Sequence, residues 1–321
     1  MTRILAYRFS AFGDVAMTVP VFREFLEQNP GVEITMVSRS GFEGLFEGIP
    51  NIRFIGIDLD DYKGFFGIRR LARELVKDFK PDFIADLHDV IRSKILDKIY
   101  TRRGFKVFKI NKGKEEKEHL TDVWNLQKMQ LKKTVERYAD VFREMGFKVE
   151  LSHKLRSGSH DKEGIGFAPF AQHTGKMLPL EKSYELVKIL AEKYPVYFFG
   201  GGTAETETLE AWENQIPNTK SLAGKLTLSE ELSHIRNLEL MISMDSANMH
   251  LASIVGTRCI SIWGSTHPFA GFLGFGQSED DTVQIHDLTC RPCSVFGDKE
   301  CFRGDWACLE EISVQQIIDK I

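Results

Sequence analysis

No run of apolar residues in this chain approaches the ~18–20 that a helix needs to cross a bilayer. The first residues carry Arg3, Arg8 and Asp14, where a secretory leader would be continuously apolar. A cytoplasmic protein is therefore expected. A basic excess is also missing. Against 42 Lys and Arg stand 46 Asp and Glu, a net charge of −4, and a general nucleic-acid binder needs the opposite balance. No strand leads into a G-x-G-x-x-G fingerprint, which argues against a nicotinamide oxidoreductase. Gly271-Phe-Leu-Gly274-Phe-Gly276 has the wrong spacing and no strand before it.

Cysteine is scarce until the end of the chain. Only Cys259 precedes the group Cys290, Cys293, Cys301 and Cys308. The C-x-x-C start suits a zinc knuckle, but the later spacing is looser. Thiols packed in a loop are the favoured reading there, with structural zinc, or disulfides formed on oxidation, as lesser ones. Asp58-Leu59-Asp60 spells D-x-D but lies in a polar turn, so no metal site is expected there.

What is present is a repeated strand–helix rhythm. Strand patterns at 3–9, 32–38, 52–58, 82–87 and 105–110 alternate with helix patterns at 15–29, 66–79 and 88–101, and a short helix at 41–50. Residues 111–119 are charged and turn-like, and 133–147 read as a helix. The rhythm restarts with strands at 164–170, 195–202, 240–244 and 258–264, separated by helices. Such alternation builds parallel sheets covered on both faces. A length of 321 residues suits two domains. An α/β protein of two Rossmann-like, doubly wound parallel-sheet domains is expected, at 1–155 and 156–321, with a linker near 150–162. Ligands of such sheets bind beyond the carboxyl ends of the strands, so the cleft between two facing domains is the expected site.

Four stretches carry candidate chemistry. In RFSAFGDVAMTVP (8–20), Asp14 follows the first strand where a helix begins. It is either a helix cap or a general base, and both readings stand at this point. A helix start favours the charged carboxylate, so such a base accepts its proton late. Gly13 beside it lets a ligand approach the backbone. In MDSANMH (244–250), Asp245 and Ser246 open a helix, whose N–H groups suit an anion. His250 lies on the same helix face as Ser246. A diphosphate fits that spot, whereas Asp245 is better placed to orient the loop or bind sugar hydroxyls. In the loop AQHTGKM (171–177), Thr174 and Lys176 flank Gly175, and a lysine suits phosphate. In FFGGGTAETE (198–207), three glycines make room for a flat ligand, and Glu205 can hold a ribose diol.

Taken in order, these segments resemble glycosyltransferase family 9, the ADP-heptose:lipopolysaccharide heptosyltransferases. RFSAFGDVAMTVP is similar to that family's opening, APFAQHTGKMLPLEKSYEL to its lysine segment, and MDSANMHLASIVGTRCISIWGSTHP to its D-T-G-x-M-H-L-A and F-G-x-T-x-P signature. VERYADVFREMGF and the terminal cysteine region are similar to further parts of it. The resemblance implies a GT-B fold and inverting, metal-independent transfer of heptose from ADP-heptose to a lipopolysaccharide inner-core acceptor. It implies Asp14 as base, with Gly13 beside it. On the donor it implies Thr174, Lys176, Glu205 or Glu207, Leu226 against adenine, and Asp245, Ser246, Ala247 and His250. Ala247 departs from the family's glycine.

An anionic, lipid-linked acceptor implies peripheral contact at the inner face of the inner membrane. Arg39 and Arg92, and then Arg102 and Arg103, are the candidates to meet its charges. A monomer without a cofactor is expected. The competing readings are a sugar-nucleotide epimerase, a transferase for another nucleotide sugar, and a non-catalytic nucleotide-sugar-binding protein.

Overall fold

The computed structural model describes residues 1–77, 79–156 and 162–321. Part of the expected linker, 157–161, lies outside them. The chain forms two compact units. One is Met1–Lys112 with Thr134–Ser152, and the other is Gly113–Lys133 with His153–Ile321.

The first unit contains β1 (Thr2–Tyr7), α1 (Phe12–Ala16), α2 (Thr18–Gln28), β2 (Val32–Arg39), β3 (Ile52–Ile57), α3 (Gly64–Lys77), β4 (Phe83–Asp86), α4 (Ile91–Arg102) and β5 (Lys106–Lys109). The chain then enters the second unit for α5 (Lys114–Leu120) and returns for α6 (Thr134–Glu144). The strands pair in parallel in the order β3-β2-β1-β4-β5. Strand order therefore reverses between β1 and β4. On one face, Leu5, Tyr7 and Ile84 pack under Ile68, Leu71 and Leu75 of α3 and Leu96 and Tyr100 of α4. Phe142 of α6 packs on Phe22 and Phe25 of α2, the latter ring at 4.5 Å.

Two local expectations are corrected. The single helix expected over 15–29 is broken after Ala16. Pro20 has no N–H to give the carbonyl of Ala16, so it fits the first turn of a new helix and not the middle of an old one. Residues 111–119, expected as a loop, hold most of α5. Glu115 and Glu116 occupy its favourable first turn. Lys117 is buried with its ammonium 4.2 Å from the centre of the Phe272 ring, and Leu120 is buried too.

The second unit continues with β6 (Ile165–Ala168), α7 (Leu180–Ala191), β7 (Val196–Phe198), α8 (Thr203–Gln215), β8 (Thr219–Ser221), α9 (Leu228–Arg236), β9 (Leu240–Met244), α10 (Ala247–Val255), β10 (Cys259–Ile262), β11 (Thr282–Val283), α11 (Ala307–Glu310) and α12 (Val314–Ile318). Its parallel sheet runs β11-β10-β9-β6-β7-β8. β6, β7, β9 and β10 are apolar over most of their length, as strands covered on both faces require, whereas β8, at the edge of the sheet, is the polar Thr219-Lys220-Ser221. Here the order reverses between β6 and β9. In doubly wound sheets these reversal points are where the loops part and ligands enter.

Candidate active site

In the first unit the loops after β1 and β4 meet at the reversal point. Asp14 is not the helix cap. It is the third residue of α1, and its Oδ2 accepts from the N–H of Ala11, the residue that caps the helix, at 3.3 Å. The same oxygen takes an ion pair from Arg8 Nη2 at 2.7 Å. Arg8 is only 5 % exposed. Its Nη1 donates to the Leu87 carbonyl, and its guanidinium stacks 5.6 Å from the Tyr138 ring centre. Burial works against the Arg8 charge, but Tyr138 and Asp14 outweigh it and its pKa is raised. Tyr138 in turn donates to the Asp14 backbone carbonyl at 3.2 Å. Asp14 itself is held but stays partly exposed, its side chain at 22 %.

His88, which the sequence reading missed, lies beside this group. Its Nε2 is 3.3 Å from Ser10 Oγ, and its Nδ1 is 3.4 Å from the Phe9 nitrogen. Burial first, and then the Arg8 charge, lower its pKa to about 3. His88 is thus neutral at physiological pH. Asp86 shapes the turn that carries it, accepting from the N–H groups of His88 and Asp89 at 2.8 and 2.9 Å.

Behind the turn, Tyr7 donates to Asp97. Burial, and then the charge of Asp86, raise the Asp97 pKa to about 7. The unfolded chain releases that proton near 3.8. Between those values the native state holds more protons, so this group withdraws stability as pH rises from about 4 to 7. His88, and His267 in the second unit, act in the opposite sense. Both are pushed to about 3 from 6.5, and so withdraw stability as pH falls below 6.5. Asp97→Asn, which cannot ionise, is expected to raise the melting temperature at pH 8 and to change it little at pH 4, as scanning calorimetry would show.

Arg39 and Arg92 both hold backbone carbonyls of the first unit. Arg39 Nε donates to the Phe9 carbonyl at 3.1 Å. Arg92 Nη1 donates to the carbonyls of Leu59 and Tyr62. Both have structural work, and both lie at the carboxyl edge of the sheet, where β2 ends and α4 begins.

In the second unit the loops after β6 and β9 also meet. Lys176 Nζ lies 2.9 Å from Asp245 Oδ2, with side-chain exposures of 16 % and 4 %. Thr266, another residue missed from sequence, donates to the same oxygen at 2.8 Å. An ammonium has three protons, so the pair with Asp245 fixes Lys176 and leaves donors for a ligand. The lysine loop is clamped from below. Ser265 donates to the Gly175 carbonyl through both its N–H and its hydroxyl, at 2.8 and 2.9 Å. A Cβ at Gly175 would sit 2.4 Å from that hydroxyl, and one at Gly297 would sit 2.7 Å from Lys176 Cγ. Both positions therefore need glycine. Arg291, only 5 % exposed, braces the far side, donating to the carbonyls of Trp263, Gly264, Thr266 and Ile285 and to Gln284 Oε1. Burial lowers its pKa to about 10.

Ser246 is the N-cap of α10, yet its hydroxyl is turned to Ser243 Oγ at 3.1 Å and makes no capping bond. The first N–H groups of α10 are thus not closed by their own cap. Ala247 begins the helix, partly exposed, and His250 is buried one turn on. The structure brings Lys176, Asp245 and Ser246 to one reversal point. Thr174 is exposed in the same loop as Lys176.

Glu205 lies at the start of α8, and its Oε2 accepts from the Gly201 N–H at 2.8 Å, shaping the glycine loop. Glu207 is exposed. Leu226 is half-buried just before Thr227, which caps α9 reciprocally with Glu230. Gly13 is half-buried in α1.

All five cysteines are free thiols. Cys290, Cys293, Cys301 and Cys308 line one small cavity with Trp306. Burial raises the pKa of Cys293, and pushes that of Cys308 to about 12. Among the described residues no three His, Cys, Asp or Glu side chains are already arranged to hold a metal ion.

Two doubly wound units, each with polar side chains gathered where strand order reverses, give the GT-B fold. The model of glycosyltransferase family 9 (heptosyltransferase) matches residues 68–300, and the chain belongs to that family. The chain is 23 % identical over 317 residues to lipooligosaccharide heptosyltransferase 2 of Campylobacter jejuni, covering 96 % of this chain and 93 % of that one. Among solved structures it is similar to the family 9 glycosyltransferase of Veillonella parvula, with a TM-score of 0.73, 19 % identity and coverage of 99 % and 96 %. An E. coli heptosyltransferase with ADP-2-deoxy-2-fluoro heptose matches with a TM-score of 0.69, 18 % identity and coverage of 99 % of each chain.

Proposed function

We propose that this enzyme transfers heptose from ADP-heptose to a lipopolysaccharide inner-core acceptor, with inversion and without a metal ion. The observation that carries this reading is the Lys176–Asp245 pair at the reversal point of the second sheet, beside a helix start that its own cap leaves open. That arrangement suits a diphosphate. Lysine supplies a fixed charge and α10 supplies N–H groups, so the charge growing on the departing ADP is stabilised without a cation. The relative solved with an ADP-heptose analogue supports the choice of nucleotide sugar.

Asp14 takes the proton from the acceptor hydroxyl. That oxygen bonds to the anomeric carbon as the bond from this carbon to the phosphate oxygen breaks, and ADP leaves from the opposite face. Arg8 orients the carboxylate and meets its charge before transfer. Inner-core acceptors of this kind are anionic and lipid-linked, so the enzyme works at the inner face of the inner membrane as a peripheral protein.

Titration calorimetry with ADP, UDP and GDP in EDTA tests the donor site. The reading predicts ADP binding that EDTA leaves intact and clearly weaker binding of the other two. Preference for UDP would overturn it.

A further inference from the structure

α3 and α4 are neighbours over one face of the first sheet, and their outer faces are strongly basic. Among the described residues, the exposed charged side chains of these helices are Arg69, Arg70, Arg73 and Lys77 on α3 and Lys94, Lys98 and Arg102 on α4, against one carboxylate, Glu74, which pairs with Arg70. Of the acids beside them, Asp89 pairs with Lys94 and Asp60 with Lys63, while Asp58 and Asp61 are exposed in the turn entering α3. This concentration of cations occurs in a chain whose net charge is −4. At one end of the same surface three large apolar side chains stand in solvent: Phe65 at 55 %, Phe66 at 81 % and Ile91 at 82 % exposure. The two Phe rings meet edge to face at 5.9 Å. Arg92 ties the start of α4 to the turn entering α3 through the Leu59 and Tyr62 carbonyls at 3.1 and 3.3 Å, which keeps Ile91 at the same end as the rings.

Two rings this exposed and in contact, with Ile91 exposed at the start of the neighbouring helix, mark a contact surface. The charge says what kind. Cations along the outside of two helices with aromatic rings at their end match the pattern of an interfacial helix, in which the rings enter the headgroup boundary and each Lys or Arg near an anionic leaflet strengthens binding about five-fold. We propose that the outer face of α3 and α4 docks on an anionic lipid bilayer, with Phe65, Phe66 and Ile91 entering it and the basic side chains lying on lipid phosphates. The proposal rests on the reading above only in that a lipid-linked acceptor gives the docking a purpose.

The test is co-sedimentation of the full chain with vesicles of phosphatidylcholine alone and of phosphatidylcholine mixed with phosphatidylglycerol. Binding is expected to the mixed vesicles only, and to be released by added salt. Phe65→Ser with Phe66→Ser is expected to weaken it by about 100-fold, from the loss of two buried aromatic side chains. Arg69→Glu with Arg73→Glu is expected to abolish it. These side chains are exposed, so unchanged melting temperatures should confirm intact folds. Equal binding to both vesicle types, no binding to either, or variants that bind as the parent does would overturn the proposal. So would duplex DNA that competes with the vesicles while the serine variants bind normally, since that would make the face a nucleic-acid surface. No sugar transfer is measured, so failure here leaves the donor reading standing, and the reverse holds too.

Discussion

Replacing Asp14 by asparagine is expected to slow heptosyl transfer by about 10²–10⁴-fold, the usual contribution of a positioned general base. Donor affinity should change little, because asparagine keeps an oxygen that can accept from the Ala11 N–H. The substitution also removes the charge that answers Arg8, and a buried cation left without its partner is costly. The variant should therefore melt at a lower temperature, and rates are to be compared well below it. Single-turnover kinetics with a fixed donor concentration separate the two effects. A large loss of rate at unchanged donor affinity supports the base. A rate near that of the parent would reduce Asp14 to a structural partner of Arg8.

The second large effect is expected at Lys176. Lys176→Met leaves Asp245, 4 % exposed at its side chain, with the Thr266 hydroxyl and no cation. Breaking a buried pair from one side costs about 3–5 kcal/mol in stability. ADP should also bind about 10- to 100-fold more weakly, from the loss of a charge-assisted hydrogen bond to phosphate. A double variant, Lys176→Met with Asp245→Asn, separates these losses. It should recover much of the stability, because no charge is stranded, and none of the affinity. If the double variant recovered ADP binding as well, Lys176 would be a structural partner of Asp245 and not a phosphate ligand.

The two-sheet plan and most strands were legible because each is a short, largely apolar run bounded by turn residues, as in VEITMVS and LMISM. The edge strands β8, the polar TKS, and β11, two residues long, carry no such pattern and were missed. The loops that end in Asp14, Lys176 and Asp245 were legible because each follows a strand of the apolar kind. Their partners were not. Arg8 read only as an interruption in an apolar stretch, and its role depends on Leu87 and Tyr138, far along the chain. Thr266 meets Asp245 across 21 residues. Arg291 lay between two cysteines that drew attention to metal chemistry, while its bonds go mostly to backbone carbonyls, which leave no mark in a sequence. The single signal available for His88 was its place just after the fourth strand, at the loop that faces the end of β1. The charged run at 111–119 looked like a solvated loop because the apolar partner of Lys117, Phe272, is in a distant part of the chain. A helix pattern likewise hid the break after Ala16, because an amphipathic spacing continues across it.

The measurement closest to the central claim is transfer itself. The purified chain is incubated in EDTA with ADP-heptose and a lipopolysaccharide core acceptor lacking heptose, and the acceptor is weighed by mass spectrometry while ADP is counted. The account predicts that the acceptor gains one heptosyl residue for each ADP released. Transfer that stops in EDTA, or that proceeds from a UDP-sugar and not from ADP-heptose, would contradict it.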